Sequence, residues 1–482
     1  MKGRYKMAEI THGIGTSRVP TSISTPIVAE SGIIFAVGTA PVQMTGGKTN
    51  EVIMASSYKE AVAALGYSDD WEKYSLCELV YTVFSLYQVS PIFMVNVLDT
   101  GKHKTRFQGE KKDVVDNKIN LPLEVIAESI NIVGKMSGTD FDVFYDGSSC
   151  IVEFLENTTG EVEITYDAVD PSMVEKGDII GGCDITTHKI TGLELVDSVF
   201  PKYTKIPDII VCPNWSHDSE VAAVMSAKAE NINGMFEAVA IIDIDTAEGT
   251  GVTYYTEAPA WKKTRNFMRP NEIVCFPKLR LGDRIFNFSS QLAALMVKTD
   301  NDEDLGGGTP RESASNKQLQ ADSMVLSDGT EVVVDIQQAN YLNDNGIVTA
   351  LNFYNGFVSH GDWTACFPSN TDPVDYFYCV SRMFKWVAKT VTITYWSYID
   401  RSMTRRIIDT VLQGVNDWLN SLTAEEKIIG GRVEMLEDEN SETALMSGKA
   451  KFHIFLTPPS PLKQLEFVLE YDASYLAGLM TA

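Results

Sequence analysis

The stretch GIIFAVGTAPVQMTGGKT, residues 32–49, decides which kind of α/β protein this chain forms. Its first half is an apolar run that predicts a buried strand over residues 32–40. Its end, Gly-Lys-Thr, matches the close of a phosphate-binding loop, but such a loop opens on a glycine where this chain has Val42. A β-branched residue does not readily adopt the backbone geometry that surrounds a phosphate. The sequence therefore predicts a surface turn over residues 46–49, leading into the next strand.

An α/β pattern continues from this stretch, breaks off, and returns later in the chain. A helix is expected to begin at the capping box Ser57–Glu60 and to stop at Gly66. The other predicted elements are strands at 51–55, 91–98, 207–213 and 237–245 and helices at about 76–87 and 218–232. We therefore expect a split α/β domain formed by residues 26–100 and 201–345.

Residues 101–200 have a different pattern and predict an insertion. The charged stretch 101–113 is typical of a loop. Short alternating runs at 141–147, 150–156 and 161–169 predict strands joined by tight turns. We expect a small, β-rich, peripheral insertion domain.

The last part of the chain, residues 346–482, predicts an α+β domain. Strands are expected at 346–354 and 361–368, and a helix at 376–392. Two period-two stretches, KFHIFL and LEFVLEY, flank a proline-rich bend near the end. In the second stretch one face carries four large apolar residues, namely Leu465, Phe467, Leu469 and Tyr471. The polar residues 1–25 predict an extended arm at the other end of the chain.

The most regular predicted helix spans residues 401–422. Its apolar face carries Ile408, Val411, Leu412, Val415, Leu419 and Leu422. Arg401, Arg405 and Arg406 stand at its start, where positive charge opposes the helix dipole. Local conflicts of this kind sometimes mark a contact site, and a solvated charged end is the simpler interpretation.

Composition excludes several classes of function. Forty basic and sixty-five acidic residues give a formal charge of −25, which repels nucleic acid and anionic membranes. No segment approaches the about 20 consecutive apolar residues of a membrane helix, and no signal peptide is expected at the N-terminus. The seven cysteines are scattered without zinc-like spacing, so free thiols in a reducing compartment are expected.

Candidate catalytic and metal-binding groups do not form a constellation. The acidic run Asp300, Asp302, Glu303 and Asp304 lacks the spacing of a calcium loop and predicts a mobile acidic loop. The neighbours Ser216, His217 and Asp218 do not suit a triad, whose members must converge in space; Asp218 or Ser219 better suits a helix cap. The stretch SHGDW at 359–363 predicts a turn. The sequence predicts no catalytic residue, no metal site and no cofactor.

Several stretches, in order, resemble the contractile tail sheath proteins of phages and phage-tail-like bacteriocins. They are GIGTSRVPTSISTPIVAESGIIFAVGTAP, VIMASSYKEAVAALG, LVYTVFSLYQVSPIFMVNVLD, PDIIVCP with VAIIDID, GTPRESASN, LNDNGIVTALNFYNGFVSHGDWTACFP and the C-terminal GGRVEMLEDENSETALMSGKAKFHIFLTPPSPLKQLEFVLEYD. The resemblance covers nearly the whole chain except residues 101–200. One departure is GDWTACFP, where many members carry a Trp-Gly-Ala-Arg-Thr-like run, so a role for that arginine is not expected here.

The resemblance implies a structural subunit of six-fold rings stacked in a helical lattice around an inner tube. Its contraction would drive the tube through a target cell envelope, with energy stored in the extended lattice. The N-terminal arm (1–25) and the terminal segment (about 458–482) would each add a strand to a neighbour's C-terminal sheet. The arm residues implied are Ile10, Val19, Ile23, Leu465, Phe467, Leu469 and Tyr471. Arg401, Arg405 and Arg406 would face the tube.

The implied partners are other copies of the chain, the inner tail tube protein, and baseplate and tail terminator proteins, without nucleic acid or membrane insertion. The implied location is a virion or tail-like particle, assembled in the bacterial host cytoplasm. Two alternatives remain open. An α/β nucleotide-binding enzyme would need a convergent polar pocket, and a non-contractile structural protein of a phage-like particle would share the arms but form a single lattice.

Overall fold

The computed structural model describes residues 27–479, and side chains as far as residue 476. The predicted N-terminal arm, with Ile10, Val19 and Ile23, lies outside the described residues. Within residues 27–479 no helix has the length and apolar character needed to cross a bilayer.

The first α/β part of the chain follows the predicted order of elements. Its elements are β1 (Ile34–Gly38), β2 (Val52–Ala55), α1 (Tyr58–Leu65), α2 (Ser75–Val80) and β3 (Ile92–Asn96). A π-helical segment, Tyr81–Tyr87, continues α2. Helix α1 ends at Gly66, whose φ of +75° and close approach to the Pro41 carbonyl leave no room for a Cβ. The predicted start and stop of this helix are confirmed.

The cap of α1 supports a first prediction. The Ser57 hydroxyl accepts a hydrogen bond from the Glu60 N–H, and the Glu60 carboxylate accepts one from the Ser56 N–H. Ser57→Ala is expected to lower the free energy of unfolding by about 1 kcal/mol, because an end N–H loses its acceptor. Urea unfolding measures the change. Ser56→Ala, which keeps the Ser56 N–H, is the control, and equal unfolding free energies for the two variants would contradict the cap.

The insertion consists of two antiparallel three-stranded sheets, ordered β4-β9-β6 and β5-β8-β7. The strands are β4 (Lys104–Val114), β5 (Lys118–Pro122), β6 (Asn131–Ile132), β7 (Phe141–Tyr145), β8 (Ser149–Phe154) and β9 (Gly160–Val169). They enclose a separate core around Phe141, Val152 and Ile164. The prediction of a loop at 101–113 is wrong, because most of these residues lie in β4. Ion pairs to β9, such as Lys104–Asp167 at 2.8 Å, accommodate its charges.

The chain then returns to the α/β part and completes it. The elements here are α3 (Lys176–Ile180), β10 (Gly182–Cys183), β11 (Ile190–Thr191), α4 (Val199–Tyr203), β12 (Ile209–Val211), α5 (Ser219–Glu230), β13 (Val239–Asp243), α6 (Ala258–Thr264), β14 (Glu272–Cys275), β15 (Lys278–Leu281), β16 (Arg284–Phe286), α7 (Phe288–Asn301), β17 (Ser323–Val325), β18 (Glu331–Val332), α8 (Ile336–Asn343), β19 (Ile347–Asn352) and β20 (Phe357–His360). Strands β15 to β18 form a small antiparallel sheet.

The main sheet has eight strands in the order β2-β3-β1-β12-β13-β14-β19-β20. Its six central strands are parallel, and β2 and β20 add antiparallel edges. Every residue of β1, β3 and β13 is buried, because helices cover both faces of a parallel sheet. The sheet includes residues 347–360, which the sequence-based division placed in the C-terminal unit. The division into domains stays a prediction.

The segment 361–368 forms no strand, so that prediction is wrong. Its backbone bonds elsewhere: the Thr364 N–H donates to the Tyr376 carbonyl at 2.8 Å. The Trp363 ring packs on Phe367, with ring centroids 4.0 Å apart, and on Tyr376. This aromatic cluster stabilises a compact turn instead. The turn predicted at 359–363 is also wrong in part, since Ser359 and His360 belong to β20.

The C-terminal unit consists of helices and a two-stranded sheet. Its elements are α9 (Pro373–Tyr376), α10 (Tyr378–Tyr395), α11 (Arg405–Ala424), β21 (Gly430–Glu434), α12 (Glu442–Met446) and β22 (His453–Thr457). The predicted apolar face of α11 is confirmed: Val411, Val415, Leu419 and Leu422 are buried, and Ile408 and Leu412 are half-buried. The helix begins at Arg405, so Arg401 precedes it.

Candidate interaction surfaces

The glycine-rich stretch at 46–49 is a surface turn, as predicted. The Lys48 ammonium lies 2.9 Å from a Glu51 carboxylate oxygen and is mostly exposed. The Thr49 hydroxyl donates to the Leu98 carbonyl at 2.8 Å. Strand β2 follows directly, so no helix begins at the end of this turn. The lysine and threonine that would bind a phosphate are used in local contacts.

The strand order of the main sheet reverses between β1 and β12. The crevice at the carboxyl ends of these two strands is filled by a network of the chain's own side chains. Ligands bind at such points in open α/β sheets. Here the Asn287 backbone and side-chain amides donate to the two oxygens of Glu78 at 2.7 and 2.5 Å. The Lys278 ammonium donates to Asn287 Oδ1 at 2.8 Å. Burial raises the pKa of Glu78 to about 7, although Lys278 and Asn287 oppose the rise.

The other candidate chemical groups have structural roles. Asp218 caps α5 by accepting from the N–H groups of Glu220 and Val221, as predicted. Asp300 lies in α7 and is buried, so it does not belong to the acidic loop in which the sequence analysis placed it. Within residues 27–479, no three His, Cys, Asp or Glu side chains are grouped as a metal ion would require.

The terminal segment leaves the body of the protein at a fixed point. The Lys463 ammonium lies 2.6 Å from an oxygen of the buried Asp362 and 4.8 Å from the centre of the Trp363 ring. Residues 458–472 form neither helix nor strand. The four predicted arm residues are exposed: Leu465 by 68%, Phe467 by 81%, Leu469 by 94% and Tyr471 by 78%. This apolar stripe therefore contributes nothing to the core of its own subunit.

The small sheet of β21 and β22 packs on α11 through one face. Val433 is buried in the core formed with α11, and Ile454 and Leu456 pack against that core but stay half-buried. The opposite face carries Arg432 and Phe455, whose guanidinium and ring centre are 3.9 Å apart. A two-stranded sheet has two free edges, and these are the places where further strands pair.

The three predicted tube-contact arginines lie around the N-terminus of α11. The Arg405 side chain is 93% exposed and lies 3.8 Å from Asp409. Arg401 stacks on the Tyr398 ring at 4.6 Å. The same connection between α10 and α11 exposes Trp396, Ile399 and Met403, which the sequence analysis did not single out. Arginine beside exposed large apolar groups is a composition common at protein interfaces.

No protein-family model matches the chain. A tail sheath protein of Burkholderia phage BcepMu is 24% identical over 98% of this chain and 99% of its own length. A putative prophage major tail sheath protein of Pseudomonas aeruginosa is 22% identical over 66% of this chain and 78% of its own length.

Solved structures have the same fold. The contracted sheath of an extracellular contractile injection system, PVC, superposes with a TM-score of 0.58 at 11% identity, over 97% of this chain and 100% of that one. The contracted helical sheath of the anti-feeding prophage gives 0.56 at 11% identity, over 96% and 100% of the two chains. A sheath tail protein of Desulfitobacterium hafniense gives 0.52 at 12% identity, over 88% and 93%.

Over nearly its whole length the chain is therefore similar in sequence to a tail sheath protein, and it shares the fold of contractile sheath proteins.

A buried set of contacts anchors the first described residues of the chain. The backbone that enters the fold, residues 27–33, lies along α10. The Ile27 and Ala29 N–H groups donate to Thr394 and Thr390 at 2.9 and 3.2 Å, and the Trp386 ring N–H donates to the Ala29 carbonyl at 2.8 Å.

Two buried ion pairs hold the same segment against the α/β part of the fold. Arg382 binds Asp300, which also accepts from the Ser31 hydroxyl at 2.6 Å. Lys389 binds Asp208, which also accepts from the Ile33 N–H at 3.2 Å. These residues were not predicted from the sequence. The available signal was two basic residues seven positions apart, Arg382 and Lys389, which lie on the same face of α10 as the apolar Trp386.

Proposed function

We propose that this chain is the repeating subunit of a contractile sheath that polymerises around an inner tube and shortens to drive that tube through a target cell envelope. The observation that carries the proposal is a pair of complementary features in one chain. One is the exposed apolar stripe of residues 465–471, and the other is the two-stranded sheet of β21 and β22. A second copy is the natural partner, because each chain supplies both.

The link between copies is the addition of a strand to a sheet. The main-chain hydrogen bonds of the new strand give affinity, and its alternating side chains give specificity. The N-terminal arm, residues 1–25, joins the lattice in the same way. Because such links sit at the ends of the chain, subunits can slide and rotate while they stay connected.

Contraction in this proposal needs no nucleotide. Energy is stored when subunits assemble in a strained, extended lattice, and a trigger at one end releases it. Baseplate and tail terminator proteins occupy the two ends of the sheath, and the completed assembly is part of a virion or tail-like particle. Electron microscopy of the protein expressed alone tests the central claim. Tubes of stacked rings are expected, and a chain that stays monomeric at high concentration would refute it.

The arginines at the start of α11 contact the tube in this proposal. Charge pairs there hold the extended state and break on contraction. Each exposed pair contributes only about 0.2–1 kcal/mol, but every subunit along the tube repeats it. The expected partner surface on the tube is therefore acidic.

Charge reversal tests this contact. The double variant Arg405→Glu, Arg406→Glu is expected to reduce co-assembly of sheath and tube at least tenfold, measured by co-sedimentation with purified tubes. The control is Lys59→Glu, Lys263→Glu, which changes the net charge equally at exposed lysines elsewhere. Co-assembly of the arginine variant equal to that of the control would refute the tube contact.

A further inference from the structure

Lys278 and Asn287 lie opposite each other at the open end of the β15–β16 hairpin. The pairing register, with Leu279 opposite Phe286, makes them the next pair of facing residues. Side chains of facing residues in an antiparallel pair lie on the same face, with Cβ atoms about 4.5–5.5 Å apart. The Lys278 Nζ accordingly reaches Asn287 Oδ1 at 2.8 Å. The nitrogen of a lysine is therefore in direct contact with the side-chain amide of an asparagine.

A buried carboxyl group completes this contact from the other side. Glu78 lies on α2 and is almost completely buried. Its two oxygens accept from the Asn287 backbone N–H at 2.7 Å and from Asn287 Nδ2 at 2.5 Å. Because a lysine side chain can only donate, the orientation of the Asn287 amide is fixed. Its oxygen faces Lys278 and its nitrogen faces Glu78.

The surroundings allow a proton to pass between Lys278 and Glu78. Both side chains line a cavity of about 260 Å³, together with Trp71 and Asn214. This volume holds water, and one water molecule is enough to carry a proton between two groups. Burial raises the pKa of Glu78 to about 7, so its carboxyl group can take up and release a proton near neutral pH.

We propose that Lys278 and Asn287 of the folded chain become joined by an amide bond between Nζ and Cγ, with Glu78 moving the protons. The Asn287 side-chain nitrogen leaves as ammonia. This inference goes beyond the proposed function, because it needs one chain and no partner. The bond closes the open end of the β15–β16 hairpin covalently. It also ties β15 to the start of α7, which follows Asn287 directly.

The bonds and protons of this reaction balance without a co-reactant. The Glu78 carboxylate takes one proton from the Lys278 ammonium through water in the cavity, which leaves an uncharged amine. The amine attacks Cγ of Asn287, and the Nζ–Cγ bond forms as the carbonyl double bond opens. Glu78 then gives its proton to Nδ2, the Cγ–Nδ2 bond breaks and the double bond re-forms. Nζ loses a second proton to the departing ammonia, so the products are one amide and one ammonium ion.

Proximity makes this otherwise slow reaction possible. Groups held in the right geometry within one molecule react as if at about 10⁵–10⁸ M, and general acid–base catalysis adds about 10²–10⁴-fold. The arrangement exists only after folding, because Glu78 is 209 residues from Asn287 in sequence. We therefore expect one reaction per chain, in the folded protein and not in the unfolded one.

Mass spectrometry of the full chain tests the bond. After incubation at neutral pH until the mass is constant, the intact mass is expected to be one ammonia, about 17 Da, below that of the sequence. Trypsin added after denaturation should leave the chain uncut at Lys278 and release a branched peptide that joins residues 278 and 287. The full sequence mass with ordinary cleavage after Lys278 would refute the proposal.

Two variants separate this bond from other reactions. Asn-Gly sequences lose the same mass when they form a cyclic imide, and the chain has three, at 233–234, 345–346 and 355–356. Lys278→Arg keeps the positive charge beside Asn287 but supplies no amine, so it is expected to retain the full mass. A loss that persists in this variant would belong to a cyclic imide and overturn the proposal.

Glu78→Gln tests the proton carrier. Glutamine has the size of glutamate and still accepts from the Asn287 N–H, but it cannot take up a proton. The variant is expected to form the bond at least tenfold more slowly than the natural chain. Bond formation at an equal rate would overturn the role given to Glu78. Thermal unfolding of both variants checks that they are folded.

Discussion

A chain carrying Leu465→Ser, Phe467→Ser, Leu469→Ser and Tyr471→Ser together is expected to stay folded and unassembled at concentrations where the natural chain polymerises. The four side chains are exposed in the isolated subunit, so replacing them removes nothing from its core. Burying each at a neighbour's sheet contributes about 1.5–3 kcal/mol, or about 6–12 kcal/mol together. At about 1.4 kcal/mol per tenfold change in affinity, this loss exceeds a thousandfold. Sedimentation velocity and negative-stain microscopy measure the result.

The same segment offers a control on its opposite face. Glu466→Ser, Val468→Ser and Glu470→Ser change three neighbouring exposed residues without touching the apolar stripe. This variant is expected to polymerise within a few-fold of the natural concentration. Equal polymerisation by both variants would mean that the alternation has no role in assembly. Loss in both would mean that both faces of the segment contribute to assembly and not the apolar face alone.

Much of the α/β part could be predicted because its strands carry their own signal. A parallel strand covered on both faces is apolar along its whole length, so β1 and β3 are visible without knowing their neighbours. The cap of α1 is equally local, since the Ser57 hydroxyl accepts from the Glu60 N–H and the Glu60 carboxylate accepts from the Ser56 N–H. Signals of this kind need only a few adjacent residues.

Elements that depend on distant partners could not be predicted. Strand β4 consists largely of charged residues, and only its pairing with β9 shows where those charges go. Residues 361–368 alternate like a strand, but Trp363 and Tyr376 pack into a turn. The hydrogen bonds between the Asn416 side chain and the Val433 backbone join a polar helix position to a strand and have no signature in either segment.

The candidate surfaces divide in the same way. Local alternation identified the terminal stripe, and local charge identified the arginines before α11; the exposure of both fits a surface role. Their partners are other chains, so their roles stay predictions. The segment 27–33 was missed because its partners Trp386 and Thr390 lie more than 350 residues away in sequence.

The buried pair of Arg382 and Asp300 connects residues 27–33 to the α/β part and to the C-terminal unit. Arg382 lies on α10 and Asp300 on α7, and they are 4% and 1% exposed. Asp300 also accepts a hydrogen bond from the Ser31 hydroxyl. Ser31 comes two residues after Ala29, whose N–H donates to α10. Burial raises the pKa of Asp300 above its ordinary value, and the Arg382 guanidinium opposes this rise. Residues 27–33 are therefore held to both α7 and α10 at this point.

Arg382→Met is expected to lower the free energy of unfolding by about 3–5 kcal/mol at neutral pH, because it leaves the Asp300 carboxylate buried without a counter-charge. Denaturant unfolding of the full chain under non-assembling conditions measures the loss. The control is the double variant Arg382→Met, Asp300→Leu, which removes both charges and is expected to recover most of the stability. A double variant as unstable as the single one would mean that Arg382 acts by packing and not by neutralising Asp300.

The pH dependence of the single variant gives an independent check. Without Arg382 the pKa of Asp300 in the folded state rises further, whereas in the unfolded chain it stays near the ordinary value of about 4. The folded state then binds more protons than the unfolded state, so its stability increases as the pH falls from 7 toward about 5. The double variant has no such carboxyl and should lack this gain. A single variant whose deficit relative to the double variant is the same at pH 5 and pH 7 would show that an uncompensated Asp300 is not the cause.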